Sequence, residues 1–316
     1  MISRGMGVAD AKEAEFYLEH IGYYRLSGYT HPFKTGGVGP DKNDFKDGTT
    51  FEEVLDRYIF DRKLRLHVMD AVERVEIAIR SALSNSIATR HGPHWYLDPD
   101  LFNCDSVDDN GNALFLHGSY ITEIKKQIDH RRRGQNSDVF IKHYYDEYDN
   151  PEMPPSWMIF ESVSFGVISR TFKFLAYSEH KRICDDFGLR HDALSSWVHS
   201  ISYVRNLCAH HSRLWNRKFT IKPYAAKAYR ADLKPNDKIY AQLFVMQILL
   251  ERIAPENHWA LRLAELFDEH PNIPLGSMGF PANWRERNIW RLKEEQDSAG
   301  FPLWKKIYRC FFSKLD

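Results

Sequence analysis

The chain has 316 residues with 43 basic and 43 acidic side chains, and 43% of its residues are hydrophobic, so it can bury a sizeable core while its zero net charge excludes a general nucleic-acid coat protein. Cys104, Cys184, Cys208 and Cys310 stand far apart without a CxxC pair, which excludes a disulfide framework or a zinc ribbon and leaves reduced thiols as the expectation. The longest apolar run, near Ala241 to Leu250, is well short of the ~20 residues that span a bilayer, and Met1 to Lys12 lacks a signal-peptide core, so a cytoplasmic chain with no membrane partner is expected.

Apolar spacing predicts helices almost throughout. The first covers about Lys12 to His20, and GYYRLSGY at 22–29 follows, with Gly22 and Gly28 around aromatic residues predicting a tight packed turn. Arg25 in that phrase reads as a structural residue before it reads as an RNA contact. Thr50 and Glu53 form a capping box that opens a long helix, Phe51 to Arg90, with Leu55, Tyr58, Ile59, Leu66, Met69, Val72 and Ile79 at helical spacing; Gly92 and Pro93 end it. Glu76 and Arg80 are placed for an ion pair, and a carboxylate of this helix is a candidate for orienting Arg205.

Further helices are predicted at Phe115 to Arg132, Ser137 to Asp146, Ser156 to Tyr177, Asp192 to Trp215, Asp237 to Arg252 and Trp259 to Phe267. Lys125, Lys126, His130, Arg131, Arg132 and Arg133 form a basic cluster, readable either as a phosphate-binding face or as a solvated helix end stopped by Gly134. Glu161 reads as a buried or half-buried acid. Short extended pieces are expected near Tyr29 to Phe33 or Phe219 to Lys222. The fold class is therefore all-α, divided into a core at 1–218, a connector at 219–236 interrupted by Pro223 and Pro235, helices at 237–290 and a basic-aromatic tail at 291–316.

Chemistry concentrates in YVRNLCAHHSRLWNR, 203–217. On a continuous helix, His199, Ser202, His210, Arg213 and Arg217 fall within roughly 40° of Asn206, while Ile201, Val204, Cys208 and Trp215 face the other way. Arg205 sits about 100° off the polar stripe and has to reach round it, or act toward a neighbour. An imidazole titrates near neutrality and can take a proton from a ribose hydroxyl, and a guanidinium offers paired donors to phosphate oxygens. The plainer reading is a wet helix face whose arginines pair with surface acids. A metal hydrolase built from His191, His199, His210 and His211 lacks the compact His and carboxylate spacing such sites use. No metal or other cofactor is expected.

The spacing of Arg205, Asn206 and His210 resembles the RxxxxH signature of the HEPN superfamily. The ordered phrases GYYRLSGY, FKDGTTFEEVLDRYIFDRKLRLHVMDAVERVEIAIR, PPSWMIFESVSFGVISR, VRNLCAHHSRLWNR and MGFPANWRERNIW resemble the Abi-like (abortive infection) family of bacteria across about the first 290 residues. The resemblance implies a HEPN-type helical bundle with additional helices and a C-terminal helical extension. It also implies a metal-independent ribonuclease of toxin character in phage defence, with Arg205 and His210 catalytic and Asn206 supporting. His211, Arg213 and Arg217 are then RNA-binding candidates. RNA as substrate or regulator, a homodimer with a composite site, and an antitoxin or small RNA as restraint are the implied partners. An RNA-binding regulator or scaffold with an unused site is the alternative. The opening MISRGMGVADAKEAEFYL resembles the middle of the family's N-terminal region, which implies a preceding helix.

Overall fold

A computed structural model describes residues 1–36, 40–104, 107–133 and 137–290. The described residues form eleven α-helices joined by short 3₁₀ turns and isolated bridge pairs, with no sheet among them. The tail at 291–316, Cys310 and the Gly134 stop lie outside the described residues.

The organising element is the long helix α3, Phe51–His91, with α1 at Ala11–Ile21 and α2 at Tyr23–Thr30 preceding it. Its start is the expected reciprocal cap: Glu53 N–H donates to Thr50 Oγ1 at 3.2 Å, and Thr50 N–H donates to Glu53 Oε2 at 3.1 Å. Gly92, with φ of 83°, ends it. Val54, Phe60, Leu64, Val68, Val75, Ile79, Leu83 and Ile87 are buried along its length, whereas Leu66, expected on the apolar face, is exposed. GYYRLSGY is not a turn but helix α2, and His31–Phe33 is a 3₁₀ turn where an extended piece was expected. Gly22, with φ of 88°, supplies the joint between α1 and α2.

After α4, His117–Arg132, and α5, Val139–Glu147, the predicted helix at 156–177 is three shorter ones: α6 at Ser156–Ser162, α7 at Phe165–Phe174 and α8 at Tyr177–Asp186. Tertiary partners make the first break. Arg80, paired with Glu76 as expected, donates to the carbonyls of Phe160 and Val163, and Ser164 N–H donates to Gln127 Oε1 at 2.8 Å. Backbone groups freed from the helix ladder are thereby satisfied. Glu161 is exposed, because the inward positions of α6 belong to Ile159, Phe160 and Ser162.

Helix α9, His191–Ala209, packs against α3 and α7. The connector has no strand at 219–222; it is pinned to α9 by Tyr224 N–H to Ser196 Oγ at 2.9 Å and by Trp197 Nε1 to the Tyr224 carbonyl at 3.0 Å. Helix α10, Ile239–Ile253, is buried on every side from Ile239 to Leu250, and with α11, Trp259–Glu269, it packs on α3. Trp95, Trp197, Trp215 and Trp259 are wholly buried, each contributing on the order of 3 kcal/mol by area. Among the described residues no helix is long and apolar enough to cross a membrane.

Candidate active site at the end of helix α9

The motif helix stops earlier than its sequence pattern predicts. His211 N–H donates to the Cys208 carbonyl at 2.9 Å and Ser212 N–H to the Leu207 carbonyl at 2.8 Å, a paired helix stop that needs a left-handed residue at position 211. His211 takes that conformation with φ of 53°, a place where glycine is usual. His210 is consequently the cap of α9 and not a member of its polar stripe. The single stripe expected from His199 to Arg217 does not exist as one helix face: Ser202 is buried, while Arg213 and Arg217 lie on the chain that turns away after the stop.

That returning chain is held by residues far away in sequence. Asp61 of α3 is wholly buried, and its Oδ1 accepts the backbone N–H groups of Leu214 at 3.1 Å and Trp215 at 2.7 Å. Its Oδ2 accepts the Tyr29 hydroxyl at 2.6 Å and a guanidinium N–H of Arg65. Burial pushes the Asp61 carboxyl up, and Arg65, Tyr29 and the two N–H groups pull against it; four donors require an acceptor there. Burial and the adjacent Asp61 raise the Tyr29 phenol, so its proton stays available for donation. The Tyr29 ring stacks on Trp215 with centroids 6.3 Å apart. Arg25, one helical turn before Tyr29, donates from Nη1 to the His211 carbonyl at 2.9 Å. The carboxylate of α3 that serves the motif is therefore Asp61, and it grips the backbone after the motif, not Arg205.

Each candidate side chain has a definite place. Arg205, half-buried, reaches round its helix and places Nη1 3.4 Å from Asn206 Oδ1, bringing together two residues that start 100° apart. His210 and His211 are exposed, and neither imidazole has a hydrogen bond among the described residues. Arg217 donates to the Arg213 carbonyl at 3.4 Å and folds back beside Tyr203. Burial raises the Tyr203 phenol, but its bond from Thr220 and the Arg217 charge outweigh burial and hold it below the usual range. Burial lifts the Cys208 thiol to about 12, so the cysteine inside the motif stays protonated and packs as an apolar residue.

Among the described residues the arginines near the motif are not used in ion pairs. Arg65, Arg80, Arg90, Arg170, Arg262 and Arg287 each pair with a carboxylate, whereas Arg205, Arg213 and Arg217 have no carboxylate within 4.0 Å among the described residues. The other basic cluster is largely spent: Lys125 pairs with Glu152, Arg131 with Asp138 and Arg133 with Asp129, and Arg132 sits 4.2 Å over the Tyr145 ring. His191, the first residue of α9, and His210, its C-cap, stand roughly 28 Å apart and cannot share one ion. Among the described residues no group of three His, Cys, Asp or Glu side chains gathers closely enough to hold a metal.

Asp61 and its network were not read from the sequence. The signal available was the Asp61 and Arg65 spacing inside an otherwise apolar helix, which is ordinary on a helix surface and becomes informative only once both are buried.

A family model described as Abi-like protein matches residues 16–216, which spans GYYRLSGY, α3 and RNLCAH and stops one residue before Arg217 and well before the MGFPANW phrase. Neither the curated proteins nor the solved structures give a match. The match covers well over half of the chain and contains both halves of the Asp61 network, so the chain belongs to the Abi-like protein family.

Proposed function

We propose that the chain is a metal-independent endoribonuclease of HEPN type, acting in the abortive-infection defence against phage that its family suggests. The observation that supports this reading is that Arg205, Arg213 and Arg217, close in sequence to two exposed imidazoles, have no carboxylate within 4.0 Å among the described residues. Phosphate is the natural counter-charge for such a set.

His210 removes the proton from a ribose 2′-hydroxyl; the 2′ oxygen attacks phosphorus, the bond to the 5′ oxygen breaks, and that oxygen takes up a proton. Products are a 2′,3′-cyclic phosphate and a 5′-hydroxyl. Arg205, steadied by Asn206, holds the scissile phosphate and stabilises its growing charge, while His211, Arg213 and Arg217 bind flanking phosphates. The functional unit is a homodimer in which two motif helices face each other and supply the second imidazole.

Purified protein and its Arg205→Ala and His210→Ala variants are to be incubated with total bacterial RNA, with circular dichroism as the check on fold. Cleavage by the parent alone supports the reading. Equal cleavage by folded His210→Ala removes His210 from the mechanism, and intact RNA co-purifying with all three turns the protein into a binding module.

A further inference from the structure

Arg25 is exposed, belongs to a phrase far from the motif in sequence, and reaches the motif's backbone across 186 residues of chain. Only Nη1 is engaged, on the His211 carbonyl; among the described residues the remaining guanidinium donors have no partner and no carboxylate lies within 4.0 Å. A guanidinium that served only to brace a carbonyl would use one donor of five.

Its position is fixed from both sides. Leu26, Tyr29 and Thr30 are buried and anchor α2, and Tyr29 and the chain after His211 are both bonded to the same Asp61 carboxylate. Arg25 and Tyr29 thus bracket the turn one helical step apart, and the free edge of Arg25 stays beside the peptide that follows His210 and His211. A cation so placed meets a phosphate with little further loss of side-chain freedom.

Resting on the ribonuclease reading of this site, we infer that Arg25 is a phosphate-binding residue of the same site, contacting RNA directly while it braces the His211 carbonyl. GYYRLSGY then supplies part of the RNA-binding surface as well as part of the core.

The test measures binding of a short single-stranded 2′-O-methyl oligonucleotide, which cannot be cleaved, over a series of salt concentrations. Losing one phosphate contact flattens the slope of log K against log salt by about 0.7 for a single strand. Arg25→Ala is expected to show that flattening, Arg25→Lys to keep the parent slope because it keeps a cation, and Arg182→Ala, on remote α8, to match the parent. Weaker binding by Arg25→Ala with the slope unchanged means that Arg25 only positions the turn, and overturns the inference while leaving the ribonuclease reading standing. A parent protein that binds no oligonucleotide overturns both.

Discussion

Asp61 accepts the backbone N–H of Trp215 at 2.7 Å, joining the first turns of the long central helix to the chain that leaves the RNLCAH motif 154 residues later. The direction of everything after His210 depends on this bond and its three companions on the same carboxylate.

Replacing Asp61 strands a buried guanidinium and two backbone donors together. Asp61→Ala is therefore expected to cost about 3–5 kcal/mol, whereas Tyr29→Phe, which removes one donor to the same carboxylate, should cost only about 1–2 kcal/mol. Urea unfolding of the two variants measures the difference. A loss below about 1 kcal/mol for Asp61→Ala contradicts the network's role.

The left-handed His211 gives a second handle. A β-carbon in that conformation costs about 1–2 kcal/mol, so His211→Gly should be more stable than His211→Ala by about 1 kcal/mol, reversing the usual penalty for glycine. Thermal or urea midpoints decide the order. If the alanine variant is the more stable, the helix stop at 211 is wrong.

These two residues also explain how much was legible beforehand. The capping box at Thr50 and Glu53, the glycine stop at Gly92, the Glu76 and Arg80 pair and the apolar spacing of α3 are local signals, and the helix they predict differs by one residue at its end. The end of α9 carries no glycine or proline at 210–212, so its stop is invisible to local reading and is imposed by Arg25 and Asp61 from other helices. The same cause splits the helix predicted at 156–177, where Arg80 and Gln127 satisfy the broken ladder. Residue types in the motif were readable, but their geometry was not: Arg213 and Arg217 lie beyond the end of α9, so helical phase does not set their direction.

Acid should weaken the fold through two buried imidazoles. His67 is lowered to about 4 by burial and then by Arg262, and His180 to about 4 by burial and then by His191. Each ring binds a proton less tightly folded than unfolded, where the value is about 6.5, so the unfolded chain holds about two more protons between those limits. Stability falls as pH is lowered from about 6.5 to about 4, by roughly 2–3 kcal/mol per ring. Urea midpoints across that range give the slope, and His180→Gln should remove about half of it; an unchanged slope places the proton uptake elsewhere.

If the site is composite, Arg205→Ala and His210→Ala proteins that are inactive separately should regain part of the activity when unfolded together and refolded as a mixture. A mixture as inactive as its components, with mixed dimers present, contradicts a site that Arg205 of one chain and His210 of the other can complete.

The most direct test of the ribonuclease is cleavage of total RNA in EDTA with the chemistry of the new ends determined. The account predicts 2′,3′-cyclic phosphate and 5′-hydroxyl ends from the parent protein and none from the Arg205→Ala, His210→Ala double variant. Cleavage that stops in EDTA, or that leaves 5′-phosphates, contradicts it.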